Sequence, residues 1–150
     1  MSEPLSLESS AAHVLRSMPE AVILCDLQGT IRIWNGGAEK VFGWSAAEAV
    51  GQNLDLIIPE RMRKAHWDGF DQAVARGGVK PGRTSMITRA LHKVHEFIYV
   101  DMSFEMVRDA SGQMLGSVAV ARDATQRFAD EKALRKQVAE LTAAQLSRGQ

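Results

Sequence analysis

One stretch of the chain constrains its fold more than any other, because residues 96–107 alternate between apolar and mixed positions. A β-strand has a period of two, so successive side chains point to opposite faces. One face of a strand over these residues is therefore continuously apolar. The apolar positions are Ile98, Val100, Met102, Phe104 and Met106. Such a strand belongs in a sheet whose apolar face is covered by other elements.

Four shorter segments are also predicted to be strands. Residues 21–26 and 31–34 form a predicted hairpin, since Gly29 supplies the backbone freedom that a tight turn requires. Residues 84–91 and 113–121 are the remaining two, and residues 109–112 form the turn before the last strand.

Helix signals fill the space between the second and third strands. Asn35 is placed to cap a helix over residues 36–42, and Ser45 with Glu48 has the spacing of a capping box. Pro59 precedes a longer helix over residues 60–76, which Gly77 ends. Two more helices are predicted at the ends of the chain: one capped by Ser9 or Ser10 and running to Met18, the other from residues 123–125 to about Leu146.

The order of these elements predicts the fold class. Two strands, several helices, three strands and a final helix indicate an α+β domain with one five-stranded antiparallel sheet and helices packed on one face. The cleft between that sheet and the helix over residues 60–76 is the natural ligand site.

Composition limits the classes of function. The chain has 150 residues, one domain's worth, with 18 basic and 18 acidic side chains. A zero net charge gives no reason to expect direct binding of nucleic acid or of an anionic membrane. No apolar run approaches the ~20 residues of a membrane span, and the polar N-terminus does not resemble a signal peptide. Cys25 is the only cysteine, which excludes an internal disulfide. A soluble, cytoplasmic protein is predicted.

The C-terminal helix carries a narrow apolar stripe on a charged background, as a short coiled-coil seam does. Its members are Phe128, Leu134, Val138, Leu141 and Leu146. The stripe favours a homodimer, because a small domain cannot bury it alone.

Several motifs, in order, resemble those of PAS domains. The segments are Asp26-Leu27-Gln28-Gly29, residues 34–39 (Trp-Asn-Gly-Gly-Ala-Glu), residues 42–51 (Phe-Gly-Trp-Ser-Ala-Ala-Glu-Ala-Val-Gly) and residues 119–125 (Ala-Val-Ala-Arg-Asp-Ala-Thr). The resemblance covers about residues 10–128 and agrees with the strand pattern. It implies a sensory domain in three parts: an N-terminal tail and cap helix (1–18), a PAS core (19–124) and a signalling helix (125–150).

The resemblance also implies roles at the last junction. Arg122, Asp123 and Thr125 lie where the sheet joins the C-terminal helix, and the family couples signals at this point. Simple N-capping by Asp123 or Thr125 is the alternative interpretation.

The segment from Ile57 to Phe70 resembles the same helix in haem-binding PAS domains, namely FixL-type oxygen-sensor kinases and direct-oxygen-sensor phosphodiesterases. Their spacing of a proline and a haem-binding histidine seven residues later is kept by Pro59 and His66. The steps from Met62 to His66 to Phe70 place His66 on the apolar stripe of the helix. The resemblance implies heme b with His66 as the proximal iron ligand; a packed core histidine is the alternative.

Met62 and Phe70, on the same stripe of the helix as His66, are predicted to contact the cofactor with it. The resemblance implies further cofactor-binding residues. Arg83 and Met86 are the alternatives for the distal side of the haem, and Met102 and Phe104 match positions that line the pocket. A flavin (FMN) photoadduct is not expected, because Leu54 occupies the position where light-sensing relatives carry cysteine; non-covalent binding of a flavin stays an alternative.

Two histidines, His92 and His95, lie outside this pattern. They are predicted to be exposed at a strand turn and not to bind metal, because no cysteine or carboxylate set accompanies them.

Three classes of function are weighed on these features. The first is a haem-based sensor of a diatomic gas or of redox state, acting on a partner such as a histidine kinase or transcription regulator, as in two-component systems. The second is a cofactor-free PAS module for dimerisation, partner binding or small-metabolite binding. The third, an enzyme, is not predicted, because no nucleophile–base set and no phosphate-binding loop is present.

Overall fold

The computed structural model describes residues 4–80 and 85–149, and within them the chain forms one five-stranded antiparallel sheet. The strands are β1 (Ala21–Asp26), β2 (Ile31–Trp34), β3 (Met86–Ala90), β4 (Ile98–Arg108) and β5 (Met114–Asp123). Their order across the sheet is β2-β1-β5-β4-β3. The first two and last three strands therefore meet at the β1–β5 pair, and the predicted α+β fold is confirmed.

Most helices lie between β2 and β3. The helices are α1 (Leu7–Ser17), α2 (Gly36–Phe42), α3 (Ala46–Ala49), α4 (Glu60–Arg76) and α5 (Thr125–Arg148), with a short 3-10 helix at Leu54–Leu56. The predicted capping box of α3 is confirmed, since Ser45 accepts from the Glu48 amide and Glu48 accepts from the Ser45 amide. Gly77 ends α4 in the left-handed conformation, as expected.

The start of α1 differs from the prediction. Ser9 and Ser10 do not cap this helix; Ser6 does, and its hydroxyl accepts from the Ser9 amide at 3.1 Å. Ser9 is the third helical residue and accepts from the Ser6 amide in return. A serine pair three residues apart satisfies two terminal amides, which moves the start of the helix three residues earlier.

The core lies between the inner face of the sheet and the helices α2 and α4. Its largest fully buried side chains are Phe42, Ile23, Ile31, Val100 and Cys25. Inner-face residues from both ends of the chain meet in register, since Ile23 is paired with Ala119 and Phe104 is paired with the same alanine from the other side. The predicted apolar face of β4 points into this core.

A single buried side chain, Asn35, connects the elements α1, β1 and α2 by hydrogen bonds. Its Oδ1 accepts from the amides of Ala38 at 2.9 Å and Val22 at 2.8 Å. Its Nδ2 donates to the carbonyls of Leu15 at 2.8 Å and Glu20 at 3.0 Å. The residue caps α2 as predicted and also fixes β1 and the end of α1.

Across the ranges 4–80 and 85–149, no helix is both long and apolar enough to cross a membrane.

Candidate functional site

The candidate site lies between α4 and the inner face of β3, β4 and β5. Phe70 and Ala73 are buried in the core, and Met62 packs against it. His66 lies on the same stripe of α4 and is partly buried. Because His66 lies four residues from both Met62 and Phe70, helical periodicity places it on the side of α4 that faces the sheet.

The imidazole of His66 is incompletely satisfied. Its Nδ1 is buried and has no hydrogen-bond partner among the described residues. Its ring packs edge-on against Trp67, with 4.6 Å between centroids. Burial lowers the pKa of His66, and the carboxylate of Asp55 opposes that effect only in part. The neutral form is favoured, and neutral imidazole is the form that binds a metal.

Trp67 fixes α4 against the rest of the domain. Its Nε1 donates to Asp55 Oδ1 at 2.7 Å, and its ring contacts the Phe70 ring at 5.4 Å between centroids. The same ring lies over Gly29, where a Cβ atom would come within 2.5 Å of it. The position of His66 therefore depends on Trp67, Asp55 and Gly29. Sequence patterns do not single out this set. The only signal in the sequence is the glycine, which the turn between β1 and β2 already explains.

The strand side of the site is apolar and partly open. Met86 is paired directly with Met102, so the two methionines share the inner face. Met86 is 46% exposed, and Met102 and Phe104 are half-buried. Val100, on the same face of β4, is completely buried. The helices therefore leave the apolar face of the sheet incompletely covered at these three positions.

The other predicted distal residue, Arg83, lies outside the described residues. The structure therefore brings Met62, His66 and Phe70 together on α4, and Met86, Met102 and Phe104 together on the sheet. Their assignment to a cofactor stays a prediction.

The two remaining histidines of interest form a turn between β3 and β4. His92 Nδ1 accepts from the amides of Val94 at 3.0 Å and His95 at 3.2 Å. The neutral His92 ring therefore carries its proton on Nε2, which leaves no lone pair for a metal. His95 is exposed as expected, while His92 is half-buried. Within the described parts of the chain, no group of three or more His, Cys, Asp or Glu side chains could hold a metal ion.

The junction between sheet and α5 contains the three residues expected to couple signals. Arg122 pairs with Glu20 at 2.7 Å. Asp123 Oδ1 accepts from the Thr125 amide at 2.9 Å, and Thr125 Oγ1 accepts from the Tyr99 amide at 3.1 Å. The N-cap residue of α5 is Ala124, so neither Asp123 nor Thr125 occupies the capping position.

Beyond its first turn, α5 stands clear of the domain. Phe128 is half-buried, whereas the other members of the apolar stripe are exposed. They are Leu134, Val138, Leu141 and Leu146.

The described chain is thus a sheet with helices on one face, an apolar surface on β3 and β4 that these helices cover incompletely, and a helix that leaves the last strand. Residues 11–124 match the family model described as PAS fold, and the chain belongs to the PAS family.

Individual relatives support this membership. A stretch of 59 residues is 39% identical to the sensor protein FixL of Bradyrhizobium diazoefficiens, and it covers 39% of this chain and 12% of FixL. The chain thus spans a small part of that relative. The PAS domain of a Colwellia psychrerythraea protein superposes with a TM-score of 0.70 at 24% identity, covering 81% of this chain and 99% of that one.

A Light-Oxygen-Voltage receptor that binds RNA is also similar in structure. Its TM-score is 0.70 at 18% identity, and the match covers 96% of this chain and 42% of the receptor. The likeness concerns the fold. At the position where a photoadduct cysteine would be expected, this chain has Leu54, which is buried in the 3-10 helix.

Proposed function

We propose that this chain is a haem-binding PAS sensory domain in which His66 is the proximal ligand of heme b. The observation that carries the proposal is the buried, unpartnered Nδ1 of His66 on the face of α4 that points toward the sheet. An unsatisfied buried polar atom costs stability, and a functional role of the imidazole, here as an iron ligand, would explain why this one is retained. The stretch of 59 residues that is 39% identical to FixL supports the same choice.

The residues around His66 fit a flat, apolar cofactor. Met62 and Phe70 flank the imidazole on α4, and Met102 and Phe104 supply the opposite apolar wall. Arg83 and Met86 are the proposed alternatives on the distal side. When bound, haem would supply an iron centre that responds to a diatomic gas or to redox state. The protein would hold a neutral imidazole, exclude water and pass a change at the cofactor site on to the strands.

We further propose that the output passes through α5. Asp123 and Thr125 join the sheet to this helix by side-chain contacts, while Arg122 ties the end of β5 to Glu20, so a displacement of the strands would reach the helix. The exposed apolar stripe of α5 suits pairing with a second copy, and through it action on a partner such as a histidine kinase or a regulator.

An absorption titration with haemin tests the cofactor proposal. The wild-type chain is expected to gain a Soret band, and His66→Ala is expected to lose it while its circular dichroism stays native-like. His95→Ala is the matched control, since it removes an exposed imidazole from a turn, and it should titrate like the wild type.

Reduction of the haem-loaded protein separates the alternatives. If Met86 is the sixth ligand, Met86→Ala shifts the ferrous spectrum from six- to five-coordinate; if Arg83 is distal, Arg83→Ala keeps haem but alters oxygen affinity. Haem uptake by His66→Ala equal to that of the wild type would refute the proximal assignment. A wild-type chain whose titration shows only the spectrum of free haemin would leave the cofactor-free PAS module as the function.

A further inference from the structure

The feature that carries a further inference is Tyr99, a β4 residue that points away from the core, toward α5. Three different parts of this residue contact the start of α5. Its amide donates to Thr125 Oγ1 at 3.1 Å, and its carbonyl accepts from the Ala124 amide at 2.8 Å. Its ring stacks on Phe128 with 3.8 Å between centroids and 14° between planes.

The Tyr99 ring is itself held from the strand side. Arg89 on β3 donates from Nε to the Tyr99 hydroxyl at 3.3 Å. The Arg89 guanidinium also lies over the Phe97 ring, 4.4 Å from its centroid, and Phe97 meets Tyr99 edge-on. A planar cation between two aromatic rings restricts their rotation. The surface that Phe128 stacks on is therefore preformed by β3 and β4.

From these contacts we infer that Tyr99 is the positioning residue through which β4 sets the direction of α5. The inference rests on the proposed output through α5. Its immediate neighbours Ile98 and Val100 are buried on the opposite face, inside the core. Because a strand carries both faces on one backbone, a shift of the core face of β4 also moves Tyr99.

β4 and α5 also contact each other through an ion pair, which is a weaker interaction. Arg127 pairs with Asp101 at 3.0 Å, but the arginine side chain is about half exposed. Exposed ion pairs contribute little and are screened by salt. The Tyr99 contacts combine two backbone hydrogen bonds with a stacked aromatic pair, so they determine where the helix begins and how it leaves the sheet.

Amide hydrogen exchange on the full chain, without any cofactor, tests the inference. Tyr99→Leu keeps the strand apolar and removes the stack. The amides of Ala124 and of residues 128–131 are expected to exchange about three- to tenfold faster, the range that loss of one aromatic pair predicts. Amides of the β1–β5 ladder, such as that of Ile23, should change by less than about twofold.

Two further variants separate positioning from general stability. Tyr99→Phe keeps the stack and is expected to restore wild-type exchange at the start of α5. Val107→Ala is the matched control, because Val107 lies on the same face of β4 but at the other end of the strand, where it is paired with Gly116; it should leave the α5 amides unchanged.

Two results would overturn the inference. One is unchanged exchange of the α5 amides in Tyr99→Leu. The other is faster exchange of the α5 amides and of the β1–β5 amides by the same factor, which would make Tyr99 merely structural. If the wild-type chain takes up no haem, the cofactor proposal falls, whereas the exchange comparison still decides the role of Tyr99.

Discussion

Replacing Asn35 with alanine is a severe local perturbation, because one side chain serves four backbone groups. The residue is only 4% exposed. Alanine would leave the Val22 and Ala38 amides without their acceptor, and the Leu15 and Glu20 carbonyls without their donor. These groups belong to the elements α1, β1 and α2 and to the link after α1. The substitution therefore loosens the N-terminal elements from one another at a single point.

The size of the loss follows from these four bonds. Removal of an N-cap side chain costs about 1 kcal/mol. A buried amide left without a partner, here that of Val22, costs about 1–3 kcal/mol. The two carbonyls are nearer the surface and can accept from water, so they add about 1 kcal/mol together. Asn35→Ala is therefore expected to lower the free energy of unfolding by about 3–5 kcal/mol.

Urea unfolding followed by circular dichroism measures this loss. Asn53→Ala is the matched control, since Asn53 is exposed and its side chain caps the 3-10 helix with one bond to the Asp55 amide at 2.8 Å. That variant should lose about 1 kcal/mol or less. Equal losses for the two variants would show that the buried network adds nothing beyond helix capping, and the reasoning would be wrong.

Three other predictions address the core, the site and self-association. Gly37→Ala should prevent folding, because the added Cβ would collide with the Glu20 carbonyl oxygen. A Cβ at Gly69 on α4 meets nothing within 4 Å, so Gly69→Ala should stabilise the folded domain by up to about 1 kcal/mol in thermal melts. The pKa of His66 is lowered by burial, so the unfolded chain binds its proton first as pH falls below about 6.5. Stability is then lost on acidification, and urea titrations at pH 7.5 and 5.5 should show a smaller loss for His66→Leu than for the wild type; an equal loss would contradict the burial argument. Leu141 is 66% exposed, and Leu141→Glu should weaken self-association in sedimentation experiments. Ala143→Glu, which lies off the stripe, should not weaken it; identical behaviour of the two variants would contradict a coiled-coil seam.

Local patterns predicted the fold well where the deciding interactions are local. The alternation from Ile98 to Met106 depends only on the period of a strand, and β4 has the expected apolar face and nearly the expected bounds. The caps by Asn35 and Ser45 depend on amides within three residues, and both are present. The start of α1 was misplaced, because serines at positions 6, 9 and 10 offer overlapping capping choices that the sequence alone does not rank.

The candidate site could be predicted only in part. Helical periodicity places His66 on the inner stripe of α4, but the lack of a partner for its Nδ1 depends on elements distant in sequence. Tyr99 was not singled out for a similar reason. It lies on the mainly polar face of β4, and its stacking partner Phe128 was assigned to the stripe of a coiled coil. Contacts between residues nearly thirty positions apart leave no periodic signal.

The contact between Tyr99 and the first turn of α5 has a mechanical consequence. The helix has 24 residues, so it extends about 36 Å from this pivot. A rotation of about 10° at the pivot would carry the far end sideways through about 6 Å. A small change in direction at the first turn is thus magnified at the far end, where the apolar stripe of α5 is exposed.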